Sequence, residues 1–159
     1  MQFEATYFPG NVKTGDILWH VTTKNIADKV VNQKKGLVPR SESLRGFSYP
    51  SRIYCFKVLD KDLMKKYAAN SWKSNKRFVL KTEDMQKIVK DYWIELMKKE
   101  LGSVYDIKEF AILKIDTSKL NCKFYRDNVF EYNDQFVAVY TNSNIHASAI
   151  EIVETFELD

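Results

Sequence analysis

Three arginines stand close together in the first third of the chain, although lysine is by far the commoner basic residue. They are Arg40, Arg45 and Arg52, and the whole sequence holds only five arginines. A guanidinium group binds a phosphate through two parallel hydrogen bonds, whereas a lysine ammonium is a point charge. His20 and Tyr54 lie on either side of this stretch and add an imidazole and an aromatic ring. The segment is suited to an anionic ligand, and solvated loop arginines are the alternative interpretation.

His20 lies in a short apolar run, Ile17–Val21, which predicts a buried strand. Thr22 or Thr23 suits the N-cap of a following helix, in which apolar residues recur at helical spacing. Gly36 suits the left-handed conformation that ends such a helix. We therefore expect His20 near the end of a strand that leads directly into a helix.

Tyr54 lies on a second predicted strand, Arg52–Val58, which is rich in residues that favour β-structure. Ser, Gly, Tyr and Pro without periodicity predict a loop over 41–51. The other predicted elements are helices over 60–70 and 82–101 and strands over 77–80, 110–115, 123–125, 136–141 and 149–156. Strands dominate and the helices gather at one side, which predicts an α+β fold.

The composition predicts one globular domain. The chain has 159 residues, of which 45% are apolar, and only five glycines and three prolines, so a single domain over residues 1–159 is expected. A net charge of +4 without a dense basic stripe disfavours a dedicated nucleic-acid binder. Two distant cysteines and the lack of a signal-like or membrane-spanning run predict a cytoplasmic protein with reduced thiols and no membrane contact. The chain has only two histidines, which disfavours a zinc site.

Several motifs in the first third of the chain resemble the first half of the ADP-ribosyltransferase superfamily, in particular its His–Tyr–Glu branch. That branch includes diphtheria-like toxins, poly-ADP-ribose polymerases and DNA-modifying toxins. The motifs are Leu18-Trp19-His20-Val21-Thr22, Asn25-Ile26, Gly36-Leu37-Val38-Pro39-Arg40 and Arg52-Ile53-Tyr54-Cys55-Phe56. The resemblance continues more weakly into the strands predicted over 110–115 and 136–141.

The resemblance implies a fold and a set of binding roles. The fold is a single-domain α+β arrangement with a mixed or antiparallel split β-sheet core and two or three flanking helices. His20 and Thr22 would hold a ribose of NAD, Tyr54 would stack on the nicotinamide, and Gly36 would open the pocket rim. The three arginines would meet the pyrophosphate, since a buried dinucleotide needs a polar anchor, an aromatic face and cations. The implied chemistry requires no metal.

The sequence departs from the family at the residue that carries the negative charge. Active transferases have a glutamate near the start of a late strand, where it stabilises an oxocarbenium-like transition state. The spacing to Ile145 puts Ala138 at this position. A looser register gives Gln135, while Glu131 and Glu151 are the nearby carboxylates.

The leading hypothesis is an ADP-ribosyltransferase-like protein that binds NAD or a related adenine nucleotide. It would break the bond to nicotinamide and pass ADP-ribose to a protein or nucleic-acid acceptor, or to water. The alternative is a catalytically degenerate nucleotide- or nucleic-acid-binding module of the same fold. RNA 2′-phosphotransferases share the fold, but they carry a histidine at the position of Tyr54. Small lysine-rich domains of this kind resemble bacterial or phage proteins.

Two other polar sites are predicted to be ordinary surface features. His146 is expected to be a solvated turn residue, and Arg126 with Asp127 is expected to form a surface ion pair of small energetic weight. The aromatic stripe of the helix predicted over 82–101 is expected to pack in the core.

Overall fold

The computed structural model of the protein describes residues 9–39, 52–69, 95, 108–127 and 137–158. Within these ranges six strands form one sheet. They are β1 Ile17–Thr23, β2 Ile53–Phe56, β3 Glu109–Asp116, β4 Tyr125–Arg126, β5 Ala138–Thr141 and β6 Ile150–Glu157. The strand order is β4-β5-β2-β1-β3-β6, and every pair of neighbouring strands is antiparallel.

The sheet consists of two halves that meet along a short junction. In one half, β1 pairs with β3 along its whole length, from Ile17 opposite Asp116 to Thr23 opposite Phe110. In the other half, β2 pairs with β5 along its whole length. Between the halves, the described strands β1 and β2 share a single backbone pair, Trp19 opposite Phe56. We call this point the junction; it divides the sheet into β4-β5-β2 and β1-β3-β6.

Short helices follow β1 and β2. Helix α1, Lys24–Ala27, begins at the N-cap Thr23, whose Oγ1 accepts a hydrogen bond of 3.2 Å from the backbone N–H of Ile26. It continues as a π-helical turn over Asp28–Asn32. Helix α2 covers residues 61–69 and follows β2. Two single 3-10 turns, Thr117–Lys119 and Ala147–Ala149, lie in the C-terminal part.

Apolar side chains are buried on both faces of the sheet, because a helix packs on each. The α1 face is covered by α1 and the segments around residues 37 and 145, and its core residues include Leu18, Cys55, Leu113, Val139 and Ile145. The α2 face is covered by α2, and its core residues include Val21, Phe56, Met64, Ile112 and Ala138. Side chains alternate between the faces along β1 to β5, so these two sets fix the direction of the other residues in those strands. In β6 the alternation is interrupted at Val153, because the register with β3 shifts between Ile152 and Glu154.

The α+β class is confirmed, and the described sheet is antiparallel rather than mixed. Each predicted strand within the described residues is present, with ends shifted by at most two residues. The strand predicted over 123–125 is Tyr125–Arg126, and the strand predicted over 52–58 is shorter, Ile53–Phe56. Predicted segments 77–80 and 82–101 lie outside the described residues, apart from Glu95, which is helical.

Gly36 is required by a close approach of two backbone segments. Its φ is +68°, in the left-handed region predicted for it. A Cβ atom at this position would lie 2.6 Å from the carbonyl oxygen of Ile145. The next residue, Leu37, exchanges two backbone hydrogen bonds with Ile145, of 2.8 and 2.9 Å. Gly36 thus lets the chain after α1 pair with the segment that precedes β6.

Replacement of Gly36 by alanine is expected to destabilise the fold more than the same replacement at Gly15. Gly15 has a φ of +99°, but among the described residues nothing lies within 4 Å of the position of its Cβ. Gly15→Ala should cost backbone strain of about 1–2 kcal/mol. Gly36→Ala should add an overpacking cost of about 1–3 kcal/mol. Urea denaturation measures both free energies of unfolding, and equal losses would contradict the close approach at Ile145.

Candidate functional site

His20 lies on β1 one residue after the junction and bonds to the other half of the sheet. Its Nδ1 lies 2.5 Å from the carbonyl oxygen of Tyr54 on β2. A carbonyl oxygen only accepts, so Nδ1 carries the hydrogen and donates it, which in the neutral ring makes Nε2 the acceptor nitrogen. The imidazole is half-buried. His20 therefore links the two halves through its side chain, beside the backbone pair that joins the described strands β1 and β2.

Thr22 belongs to the same side of β1 as His20. It lies two residues further along the strand, opposite Ala111, and is half-buried. Because alternate residues share a face, His20 and Thr22 both project on the α1 face with Leu18. The structure thus brings together the two residues expected to contact a ribose. Of the two threonines that the sequence offers as N-cap of α1, Thr22 and Thr23, the N-cap is Thr23.

Tyr54 projects on the α2 face, where it begins a row of three tyrosines across three strands. Tyr54 lies opposite Tyr140, with ring centroids 6.2 Å apart, and Tyr140 lies opposite Tyr125, with centroids 5.6 Å apart. Tyr140 is buried, whereas Tyr54 and Tyr125 are half-buried. The rings are tilted by 56° and 37°, within the range of favourable aromatic contacts.

Arg52 packs on this row of tyrosines. Its Cζ lies 3.9 Å from the centre of the Tyr140 ring, a cation–π contact between a planar guanidinium and an aromatic face. The Nε of Arg52 is buried and has no hydrogen-bond partner within the described part of the chain. The arginine expected to meet a pyrophosphate is therefore held beside Tyr54 by stacking. Arg40 and Arg45 lie outside the described residues.

His20 and Tyr54 do not present their side chains on the same face of the sheet. The His20 ring is on the α1 face, the Tyr54 ring is on the α2 face, and the contact between them uses the main chain of Tyr54. Gly36, expected at a pocket rim, lies against the backbone of Ile145 and His146.

The candidate carboxylates lie in different places. Glu151 is an exposed residue of β6, opposite Lys114, which is in turn opposite Trp19. It therefore projects on the α2 face, two strands away from β1. Gln135 and Glu131 lie outside the described residues, so their proposed roles stay predictions. Ala138 is buried and lies opposite Phe56.

Asp127 is buried, although the sequence predicts it at the surface in an ion pair with Arg126. The predicted surface position is wrong, because Asp127 is only 5% exposed. Its backbone N–H donates to the carbonyl oxygen of Ala138 over 3.0 Å, which extends the pairing of β4 and β5 by one residue. The alternation of side chains along β4 could have predicted this burial, because Tyr125 and Asp127 lie on the same face of the sheet.

The remaining candidates have ordinary surroundings. His146 is exposed, as predicted, and its Nδ1 is hydrogen-bonded to Ser148 Oγ over 2.5 Å. Burial raises the pKa of the Cys55 thiol far above its usual range, so Cys55 is a protonated core residue. Over the described ranges, no three or more His, Cys, Asp or Glu residues are grouped to hold a metal ion, and no helix has the length and apolarity to cross a membrane.

Replacement of His20 by alanine is expected to destabilise the fold by about 1–3 kcal/mol, because the Tyr54 carbonyl loses its donor. The matched control is His146→Ala, which removes an exposed imidazole and should change stability by less than about 0.5 kcal/mol. Urea denaturation followed by tryptophan fluorescence measures both. A His20→Ala variant as stable as the His146→Ala variant would contradict a structural role for this hydrogen bond.

Comparisons with known proteins find no match for this chain. The chain matches no protein-family model, no curated protein and no solved structure.

Proposed function

We propose that the protein binds NAD, or a related adenine nucleotide, at the junction between β1 and β2, and that it acts as an ADP-ribosyltransferase-like enzyme. The observation that carries the proposal is the bond from His20 Nδ1 to the Tyr54 carbonyl. This bond brings the two residues that the family motifs single out to one point of the fold, although 34 positions separate them in the chain.

The division of the sheet supports a ligand site at this point. Trp19 and Phe56 form the backbone pair at the junction. Away from this pair, β1 is bonded to β3 in one half of the sheet and β2 is bonded to β5 in the other. Ligand sites prefer concave regions where rigid elements diverge and a few polar groups converge. In the proposal, NAD lies across the diverging strands and contacts both halves.

The side chains near the junction supply the groups that a dinucleotide needs. His20 and Thr22 offer hydrogen-bonding groups for a ribose on one side of β1. Tyr54 offers an aromatic face for the nicotinamide ring. Arg52, already stacked beside that ring on Tyr140, offers N–H donors to a pyrophosphate. Arg40 and Arg45 are further candidates for the same phosphates.

The proposed reaction breaks the N-glycosidic bond between nicotinamide and its ribose. The bonding electron pair leaves with nicotinamide, and the ribose C1′ acquires oxocarbenium character before an acceptor attacks it. The acceptor is a protein, a nucleic acid or water. Such a reaction is accelerated by negative charge placed beside the ribose, because charge develops there in the transition state.

The second candidate is a nucleotide- or nucleic-acid-binding module that keeps the fold without the transfer reaction. Ala138 favours it, because the family spacing places the glutamate at this position and Ala138 is a buried apolar residue packed opposite Phe56. A methyl group there contributes no charge to a transition state.

Calorimetric titration with NAD and with ADP-ribose tests the proposal. Wild-type protein is expected to bind at least one of them. His20→Ala and Tyr54→Ala should each weaken binding about tenfold or more, which corresponds to a loss of about 1.4 kcal/mol. His146→Ala is the matched control and should bind as the wild type does. Tyr54→Phe keeps the ring and should retain most of the affinity.

A folded wild-type protein that binds neither ligand would refute the proposal. Release of nicotinamide from NAD, measured by chromatography, separates the two candidates. Turnover that His20→Ala and Tyr54→Ala abolish supports the transferase. Binding without turnover, also in the presence of protein and nucleic-acid acceptors, supports the module.

A further inference from the structure

The strand β6, Ile150–Glu157, forms one edge of the sheet, and within the described residues it pairs with β3 alone. The other edge, β4, is flanked by a further segment of the chain. Pro9 bridges to Tyr125, and the Gly10 N–H donates to the carbonyl oxygen of Phe124 over 3.0 Å. The described sheet therefore has one covered edge and one open edge.

The backbone groups of two β6 residues point away from β3. The Leu158 N–H donates to the carbonyl oxygen of Lys108 over 2.8 Å, so these two residues form a hydrogen-bonded pair of the β3–β6 ladder. Hydrogen-bonded and non-hydrogen-bonded pairs alternate along an antiparallel ladder. Glu157 and Thr155 therefore belong to non-hydrogen-bonded pairs. Their N–H and C=O groups face outward, where an added strand can bond to them.

The open edge is acidic. β6 carries three glutamates and no lysine or arginine. Glu154 forms an ion pair with Lys61 over 2.9 Å. Glu151 and Glu157 are exposed, and in the described part of the chain no cation lies within ion-pair distance of either carboxylate. The edge thus combines unpaired backbone groups with negative charge.

Glu157 also lies opposite a residue of the same charge. Its partner across the β3–β6 ladder is Glu109, whose carboxylate forms an ion pair with Lys24 over 3.3 Å. Like charges directly opposite one another destabilise a sheet. A cation brought next to Glu157 from another molecule would offset a repulsion that remains among the described residues.

A second copy of the chain does not fit this edge. Two β6 strands paired with each other would bring the glutamates of one copy against those of the other, in either strand direction. The register shift at Val153 is a bulge, and bulges and charged side chains keep sheet edges from pairing with copies of themselves. Complementary charge selects one class of partner and rejects others. The edge therefore favours an extended segment with lysine or arginine side chains.

We propose that β6 is a docking edge for an extended, basic segment of a partner protein, which adds to the sheet as a further strand. The segment forms backbone hydrogen bonds with the outward groups of Thr155 and Glu157, and its cations lie against the exposed glutamates. Strand addition gives affinity through the main chain, while the charges give specificity. The edge is separated from the junction by β3, so this docking is independent of NAD binding.

Titration of the isotope-labelled full chain with synthetic peptides, followed by NMR amide shifts, tests the proposal. The probe is a decapeptide in which lysine and threonine alternate. One control peptide alternates glutamate and threonine, which reverses the charge. A second alternates lysine and proline, which keeps the charge but lacks every second N–H. The probe should bind at least about tenfold more tightly than either control, with the largest shift changes at Thr155 and Glu157.

Thr155→Pro tests the backbone pairing. The replacement removes an outward N–H and takes no donor from the β3–β6 ladder, and proline is tolerated at such edge positions. It should weaken binding of the lysine–threonine peptide about tenfold or more. Thr155→Ala keeps the N–H and is the matched control, with an affinity within about threefold of the wild type.

Glu157→Lys tests the charge. It should weaken binding of the lysine–threonine peptide about tenfold and strengthen binding of the glutamate–threonine peptide. Asp62→Lys makes the same change of charge at an exposed residue of α2 and should leave both affinities as in the wild type. Urea denaturation should show that Glu157→Lys is at least as stable as the wild type, because it removes the repulsion with Glu109.

Selective binding that both Thr155→Pro and Glu157→Lys weaken supports the docking edge. Failure of the wild type to bind the lysine–threonine peptide, or equal affinity for all three peptides, would overturn it. Protection of the Thr155 and Glu157 amides from hydrogen exchange in the free protein would also overturn it, because the edge would already be paired. Sedimentation that shows a dimer disrupted by Thr155→Pro would assign the edge to a second copy instead.

Discussion

The hydrogen bond from His20 to the Tyr54 carbonyl is the constraint on which the arrangement of the site depends. Among the described residues, β1 and β2 share one backbone pair, Trp19 opposite Phe56, and this pair joins the two halves of the sheet. The imidazole adds a second connection two residues from Phe56. Together they define both a position and a direction for β2. A side-chain hydrogen bond thus helps to position β2 against β1, whereas ladders of backbone hydrogen bonds position the strands inside each half.

The rest of the fold supports this narrow junction, because the apolar core on each face of the sheet includes residues from both halves. β3 lies between β1 and β6 and is almost completely buried, with Ala111, Ile112, Leu113 and Ile115 fully inside. β5 plays the same part for the other half, where all four of its residues are buried. Covering helices on both faces remove apolar surface from water, which is the main stabilising term.

Much of the strand pattern could be predicted, because apolar runs such as Ile17–Val21 and Phe110–Ile115 are bounded by turn residues. The left-handed Gly36 was also predictable from its place after a helix. The hydrogen-bond partner of His20 was not predictable, because it is a backbone carbonyl and every residue has one. Asp127 was misjudged for a related reason: a carboxylate beside an arginine suggests the surface, and only the register with Ala138 shows that it points inward. A shift of one residue would turn it to the other face.

The strand register also connects the junction to β4. The pairing of β2 with β5 is continuous from Ile53 to Phe56, and β5 continues into its pairing with β4 up to Asp127. The position of Asp127 relative to Tyr54 is therefore fixed by backbone hydrogen bonds along β5. Tyr54 in turn is held relative to β1 by His20. A ligand that spans the junction would meet groups from both halves in a fixed relation, and the side chain that fixes this relation is the histidine that the family motif places at the ribose. In this fold one imidazole orients the half of the sheet that carries the Tyr54 ring, while the imidazole itself lies on the opposite face.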